Sequence, residues 1–465
     1  MSEATYDFDI IIIGGGSGGY AAARTAAAKG LKTGVIDGAQ ELSGLCILRG
    51  CMPSKALLYA AEVKHLAEHG ATWGLRIPEV GFDFPAVMAR KAAMIKDFSE
   101  YRVKQLNDGR FKLYRAYARF TDPHTIALSD GQTLTAKFFV ISTGSIVSPP
   151  PLPEMKDIGY LTSDEVLYLK ELPKSVIVLG GGAIAVELAQ FLSRFDVEVT
   201  LIQRSAHIMS ACDSDAGEVI ETVFRKEGMT LYTGTKLKLA FTENGQKGIE
   251  FEHEGKTVRV VAQEIFHALG RSPNTASLAL DKAGVNTEKG RIVTDLLQRT
   301  NIPHIYAAGD CCGPHEIVHI AIQQGETAVH NIISPDKPRT MDYRLLISII
   351  FTDPQVATVG LTEKEAKAQN IPYLAASYPF ADHGKSMIME AMHGFVKLLA
   401  HPQTGEILGG SCVGPVGGEL IHEILTAMAK RMTVHELAAT PHYHPTLAEI
   451  WTYPAEELAD QIVAT

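Results

Sequence analysis

Gly14, Gly16 and Gly19 stand between a run of four isoleucines and an alanine-rich segment. That placement constrains the fold more than any other stretch of the chain. Residues 8 to 13 are almost continuously apolar, which reads as a parallel strand buried on both faces. Residues 18 to 29 read as a helix that Gly30 ends, and Thr33 to Ile36 as a second strand closing on Asp37. In such a βαβ unit the three glycines have separate tasks: a tight turn, close backbone approach to a pyrophosphate, and helix-on-strand packing. The helix N-terminus then offers free N–H groups to the pyrophosphate, and Asp37 is placed to accept from a ribose hydroxyl. Without a ligand the same residues would make only a glycine-rich turn.

The pattern recurs. Ser175 to Leu179 reads as a strand, followed by Gly180, Gly182 and Ala185 in a G-x-G-x-x-A form. A helix runs through Glu187 to Arg194, and a second strand, Val197 to Ile202, ends at Gln203-Arg204. The expected architecture is therefore α/β, with two Rossmann-like dinucleotide-binding domains. Residues from about 343 have another texture: β-rich runs (394 to 400, 407 to 413) alternate with helical ones (362 to 369, 418 to 431), as in an α+β domain. A chain of 465 residues has room for about three domains. The proline-rich stretch 148 to 153 reads as the linker into the second Rossmann unit, the turn 271 to 274 as its exit, and 301 to 310 as a return to the first. The resulting boundaries are 1–150, 151–272, 273–342 and 343–465, the third segment rejoining the first.

Net charge is −10 with a pI near 5.9, which argues against nucleic acid and against an anionic membrane surface as partners. The acidic N-terminus is unlike a leader peptide, and no apolar run is long enough to span a bilayer, so a cytoplasmic protein is expected. Six cysteines do not make a disulfide scaffold, and no Cys/His set has zinc spacing, so no metal site is expected. Cys212 and Cys412 are isolated. The vicinal Cys311 and Cys312 read as small buried residues, with soft-metal binding as the alternative.

Cys46 and Cys51 are different. They lie in Gly-Leu-Cys-Ile-Leu-Arg-Gly-Cys-Met-Pro-Ser-Lys, residues 44 to 55. On a regular helix residues five apart sit about 140° from one another, so bridging them needs a distorted turn, for which Gly44 and Gly50 supply freedom and Pro53 fixes the exit. A helix start lowers a cysteine's pKa and favours thiolate. Read alone, the spacing leaves two cysteines that never pair equally open. Lys55, one turn past Cys51, is an internal partner in reach of Glu187 of the second Rossmann helix, with a surface lysine and an ordinary helix glutamate as the plain alternative. Thiol exchange also needs a proton acceptor. His442-Tyr-His444-Pro-Thr-Leu-Ala-Glu449 offers one, with Glu449 orienting the imidazole and Pro445 favouring His444 over His442.

Together these elements resemble the flavoprotein disulfide reductases, the group containing dihydrolipoamide dehydrogenase, glutathione reductase and mercuric reductase. The likeness covers the whole chain. It also rests on Ile-Ser-Thr-Gly-Ser at 141 to 145, Gly270-Arg-Ser-Pro-Asn274, Ile305-Tyr-Ala-Ala-Gly-Asp310 and H-P-T-x-x-E at 444 to 449. The resemblance implies FAD at the first site, held by Gly14, Gly16, Gly19, Asp37, Lys55, Thr143, Gly144 and Asp310. It implies a nicotinamide cofactor at the second, held by Gly180, Gly182, Ala185, Glu187, Gln203, Arg204 and Gly270. Catalysis would fall to Cys51 beside the flavin, Cys46 facing the substrate, and Lys55, Glu187, His444 and Glu449. The C-terminal domain would form a homodimer and lend His444 and Glu449 to the partner's site.

Two departures stand out. The pattern Thr-Cys-x-Asn is replaced by Leu45-Cys46-Ile47-Leu48, which makes the surroundings of Cys46 apolar, an environment that would raise its pKa or reshape the substrate mouth. The second strand ends in Gln203-Arg204, with His207 just after, rather than in an acid, which favours NADP over NAD because an arginine binds a 2′-phosphate that an acid would repel. The leading expectation is an NAD(P)H:disulfide oxidoreductase of the dihydrolipoamide dehydrogenase kind, acting on a small or carrier-bound disulfide or dithiol. The alternatives are a metal-ion reductase resembling mercuric reductase, suggested by residues 351 to 360, and a flavin redox sensor without turnover.

Overall fold

The computed structural model describes residues 5–462. The chain divides into two compact units: one runs through Pro53 and takes in Met88–Pro149 and Gly270–Met341, and the other takes in Ser54–Val87, Pro150–Leu269 and the chain from Asp342.

The first unit is built on the expected βαβ start. Strand β1 (Phe8–Ile13), helix α1 (Ser17–Ala28) and strand β2 (Thr33–Ile36) follow in order. The two strands pair in parallel, with Ile10 opposite Thr33 and Ile13 opposite Ile36. On its other edge β1 pairs with Thr133–Ile141, which in turn pairs with Ile305–Ala307. Ile10 to Ile12 are fully buried: odd-numbered residues pack with Phe120, Phe139 and Ile141, even-numbered ones with Ala22, Ala23 and Val329. That double burial is why the isoleucine run is continuous rather than alternating. Helices α2 (Gly44–Arg49), α3 (Cys51–Glu68) and α4 (Phe84–Leu106) come next in the chain.

The second unit holds three sheets. A four-stranded parallel sheet orders Thr230–Tyr232, Glu198–Ile202, Ser175–Leu179 and Glu264–His267, with the helix Ala183–Arg194 following the glycines. A three-stranded antiparallel sheet spans Lys236–Ala262, and its apolar residues Ala240, Ile249, Phe251 and Ala262 share a core with Ile177 and Leu179. The sequence reading did not anticipate it. The third sheet is antiparallel, five-stranded and C-terminal, in the order Ile347–Ile350, Gln355–Gly360, Ile407–Gly414, Phe395–Ala400, Leu374–Pro379. The helices Gly417–Ala429 and Thr452–Gln461 bury Ile421, Ile424, Met428, Ala455 and Leu458 in its core, together with Trp451.

A buried cation ties parts of this unit together. Lys397 sits inside the strand Phe395–Ala400, and its Nζ reaches Asp215, Glu363 at 2.9 Å and Asp213 at 3.5 Å. Burial opposes the charge on Lys397 most strongly, but Asp215 and Glu363 outweigh it and raise its pKa. For Glu363, burial again pushes upward, while hydrogen bonds from Lys397 and Tyr373 prevail and hold it at about 2. Lys397→Met leaves three carboxylates facing each other, and a loss of about 3 kcal/mol in unfolding free energy is expected. A denaturant titration at pH 7 checks this. Glu363 is depressed on folding, so its contribution is complete above its unfolded value and fades as pH falls towards about 2. The gap between wild type and variant should therefore narrow below pH 4.5.

Candidate active site

The glycines of the first fingerprint make a cradle that side chains cannot enter. Gly14 has φ +107°, and a Cβ there would lie 2.2 Å from the Ser142 carbonyl oxygen. A Cβ on Gly19 would lie 1.8 Å from the carbonyl of Gly14. Helix α1 opens at Gly16 without a side-chain cap, so its first N–H groups stay available. The carboxylate of Asp37 accepts from the Gly15 and Ala39 backbone N–H groups, both at 2.9 Å, and is held at the end of β2. Across the turn, Gly144 has φ +69° and Thr143 Oγ1 is buried with no hydrogen-bond partner among the described residues. Asp310 accepts from Ser145 Oγ at 2.6 Å, and Arg271 donates to that same hydroxyl at 2.8 Å. Ser145 and Arg271 thus orient Asp310. Both lie in quoted motifs, but sequence reasoning gave them no role, because the contact joins residues 126 positions apart.

The dithiol is built onto this cradle. A Cβ on Gly44 would come within 2.7 Å of Gly16 Cα, so α2 starts directly on the glycine turn. Gly50 breaks the helix at φ −138° and ψ −116°, and Cys51 opens α3. A Cβ on Gly50 would crowd the Leu45 carbonyl at 3.1 Å and Cys46 Cα at 3.3 Å, so this turn needs glycine. The break brings the two unbridged sulfurs into hydrogen-bonding contact. The Cys46 thiol donates to Cys51, and that bond, followed by burial, pushes its pKa well above the ordinary range. At Cys46 these act as its apolar neighbours Leu45 and Leu48 lead one to expect, and against the lowering expected of a helix start. Cys46 is third in a six-residue helix, and its environment stabilises the proton more than a short helix can oppose.

In the second unit the other fingerprint forms a similar cradle. Gly180 has φ +114°, with Ala268 O only 2.5 Å from where a Cβ would stand. Gly182 opens its helix without a side-chain cap, and Ala185 is fully buried. Gln203 is buried beneath Gly181, and its Oε1 accepts from the Arg204 N–H at 3.0 Å. Arg204 is exposed and makes no ion pair among the described residues. His207 lies 3.5 Å from Glu221 and 3.8 Å from Glu218. Gly270 falls outside this unit: at φ +108° in the first unit, it accepts from the Ser148 N–H through its carbonyl.

Lys55 and Glu187 form an ion pair at 2.7 Å, with the glutamate buried. The other Glu187 oxygen accepts from the Phe351 N–H at 2.9 Å, and Lys55 Nζ lies 4.6 Å from the centre of the Phe351 ring. Near the C-terminus His444 Nδ1 faces Glu449 at 3.0 Å while its side chain is 79% exposed. His442 is instead enclosed, with Nε2 on Glu423 at 2.6 Å and Nδ1 on the Thr440 carbonyl at 2.9 Å. Both of its nitrogens are occupied, which leaves His444 as the histidine with a free one. A third histidine was not visible in the sequence: His383 is fully buried, with Nε2 3.4 Å from Glu449 and Nδ1 on Ser386. No motif surrounds it.

Two dinucleotide cradles, a paired dithiol and an acid-oriented histidine define a nicotinamide-linked disulfide oxidoreductase. Comparison with known proteins agrees. Residues 8–325 match the pyridine nucleotide-disulphide oxidoreductase family and residues 347–455 its dimerisation domain. The chain belongs to this family. It is 34% identical to dihydrolipoyl dehydrogenase of Bacillus subtilis over 95% of this chain and 96% of the relative. It is 35% identical to dihydrolipoyl dehydrogenase of Thermus scotoductus over 98% of each. Among solved structures, LpdA of Mycobacterium tuberculosis superposes with a TM-score of 0.86 at 27% identity, covering 97% of this chain and 99% of that one. The HOCl-induced flavoprotein disulfide reductase RclA of Escherichia coli shares the fold, with a TM-score of 0.85 at 24% identity, covering 96% and 99%.

The protein is an FAD-dependent disulfide oxidoreductase. The first cradle fits FAD on its own geometry. It has glycines where a Cβ would collide, an uncapped helix start for the pyrophosphate, and a buried Thr143 hydroxyl without a protein partner. Among the described residues no helix is long and apolar enough to cross a membrane.

Proposed function

We propose that the chain passes two electrons between a nicotinamide dinucleotide and a small disulfide of the dihydrolipoyl type, working as a homodimer whose partner subunit completes each site. The observation that carries this is the Cys46–Cys51 contact built directly on the first glycine turn. FAD, when bound, supplies two-electron exchange between the nicotinamide and the cysteine pair. The other steps belong to residues of the chain. Cys51 is the thiol on the flavin side and Cys46 the one that meets substrate. Cys46 keeps its proton in the resting dithiol, so a base must remove it before the thiolate can attack. His444, oriented by Glu449, takes that proton. The Cys46 thiolate attacks one substrate sulfur, forming a mixed disulfide and expelling the other sulfur, which is protonated by His444. Cys51 then attacks Cys46, closing the internal disulfide, and the proton it loses passes to the second substrate sulfur, which leaves as a thiol. Glu187 holds the Lys55 ammonium in place one turn beyond Cys51.

Anaerobic titration of the purified protein with NADPH and NADH, followed by lipoamide, glutathione disulfide or Hg(II), tests the reading. Long-wavelength absorbance on reduction and turnover of a disulfide are expected. Turnover on the metal ion alone would favour the metal-ion reductase, and neither signal would remove the dithiol from the reaction.

Nucleotide choice rests on Arg204. It is an exposed cation at the end of the strand Glu198–Ile202, beside a neutral buried Gln203 where an acid would exclude a 2′-phosphate. Arg204→Glu is expected to lower the NADPH-to-NADH ratio of kcat/KM about 10- to 100-fold, the worth of one charge-assisted contact. An unchanged ratio would remove the argument for NADPH.

A further inference from the structure

One carboxylate near the C-terminus serves two imidazoles. Glu449 presents Oε2 to His444 Nδ1 at 3.0 Å and Oε1 to the same nitrogen at 3.2 Å. From the other side, Nε2 of His383 approaches Oε1 at 3.4 Å. The two rings have opposite settings: His444 is exposed and His383 is fully buried. His383 follows the short turn Phe380–Asp382, and its N–H donates to the Phe380 carbonyl at 3.1 Å. Its ring stands nearly perpendicular to those of Phe380 and Tyr453, with centres 6.5 and 6.4 Å away. Tyr453 is itself stacked on Tyr378 at 4.0 Å. Packing of this kind leaves the imidazole few orientations.

The proton on this ring can be placed by elimination. Burial lowers the pKa of His383 while Glu449 opposes, so the ring is neutral at pH 7 and carries one N–H. Nδ1 lies 2.8 Å from the hydroxyl of Ser386, which is also fully buried. A hydroxyl donates or accepts, so Ser386 suits either tautomer. Glu449 suits only one. An ionised carboxylate accepts and cannot donate, and a bare Nε2 would set its lone pair against it in a place closed to water. The surroundings therefore select the tautomer with its proton on Nε2, and Ser386 donates to Nδ1. Apart from this carboxylate, Nε2 has no partner among the described residues and is withdrawn from solvent. Contacts of this sort are often long in a free enzyme and tighten when substrate binds.

We propose that His383 is a positioning residue for the thiol base: its Nε2–H holds Oε1 of Glu449, so that the carboxylate stays aimed at His444 Nδ1 and leaves Nε2 of His444 to take the proton. The inference rests on His444 being that base, and it deepens that reading by naming what fixes Glu449. Being closed to solvent, His383 acts only through the carboxylate.

The test is a double-mutant cycle on the FAD-loaded protein. It is read with lipoamide and with ferricyanide, a one-electron acceptor that needs no thiol exchange. His383→Leu is expected to lower kcat/KM for lipoamide about 10-fold, the scale of one buried hydrogen bond to a charged group. NAD(P)H-driven ferricyanide reduction should stay within about twofold. In a Glu449→Gln background the same substitution should cost less than about twofold, because the group it acts through is gone. His383→Gln, which can return an N–H to the place of Nε2, should recover most of the loss. A merely structural role predicts that the loss persists beside Glu449→Gln or that ferricyanide reduction falls with it. Either result overturns the inference, as does full lipoamide activity in His383→Leu. Should the Leu variant not fold, His383→Gln is compared with His383→Asn, whose amide ends nearer the place of Nδ1. The Gln variant is then expected to be the more active, and equal activities overturn the inference. A loss in His444→Gln with none in His383→Leu overturns this inference alone, whereas no loss in His444→Gln overturns it together with the reading on which it rests.

Discussion

Cys46→Ser is expected to lower disulfide turnover by at least about 10³-fold, the scale set by removal of an attacking nucleophile. The same variant should still show the long-wavelength absorbance that a Cys51 thiolate gives beside the oxidised flavin. The two outcomes separate because the proposed reaction gives the two sulfurs different tasks. Serine at 46 cannot form a mixed disulfide and its hydroxyl does not ionise near neutrality, so exchange with substrate stops. It keeps the size of the thiol and an O–H that can donate to Cys51, as Cys46 does now. Removing the sulfur therefore need not disturb the α2–α3 break, which depends on Gly50 and on the contact of Gly44 with Gly16. Spectra of the purified variant and a lipoamide assay check both halves. Full activity in Cys46→Ser would rule out the dithiol reaction, whereas loss of the absorbance with loss of activity would exchange the roles of the two cysteines.

Much of the fold could be read from the sequence where one physical constraint acts locally. The isoleucine run had to be a doubly buried strand, and the glycines after it had to turn, since Gly14 and Gly19 leave no room for a Cβ. The same logic located the second fingerprint and, to within a residue or two, the strands Phe395–Ala400 and Ile407–Gly414 and the helices Glu363–Ala368 and Gly417–Ala429, while the other three strands of the C-terminal sheet were not read. The ion pair of Lys55 with Glu187 and the contact of His444 with Glu449 could be anticipated because each carries a motif on at least one side. What escaped was set by packing between distant residues. Lys397 reads as one polar residue in an apolar strand, and only the fold brings Asp213, Asp215 and Glu363 to it. The three-stranded sheet at 236–262 lacks a motif. The pKa of Cys46 is raised by its neighbouring thiol and by burial; the apolar Leu45 and Leu48 made the second legible, and only the fold brings about the first.

His444→Gln is expected to lower kcat/KM for disulfides about 10²- to 10⁴-fold, the usual worth of a positioned general base, while NAD(P)H-driven reduction of ferricyanide stays within about twofold. Ferricyanide takes electrons without thiol exchange and has no need of the proton that Cys46 holds. The geometry makes His444 the suitable base. Nδ1 is fixed against Glu449 at 3.0 Å and the side chain is exposed, which leaves Nε2 to receive a proton. His383 sits on the same carboxylate at 3.4 Å, but its pKa is lowered, by burial first, with Glu449 opposing only in part. It therefore stays neutral at pH 7 and leaves the charge of Glu449 to His444. Glu449→Gln should fall between wild type and His444→Gln, because it frees the tautomer without removing the ring. If both assays fall equally, His444 is not the thiol base, and the fault lies in assembly of the dimer instead, which sedimentation of the variant would reveal.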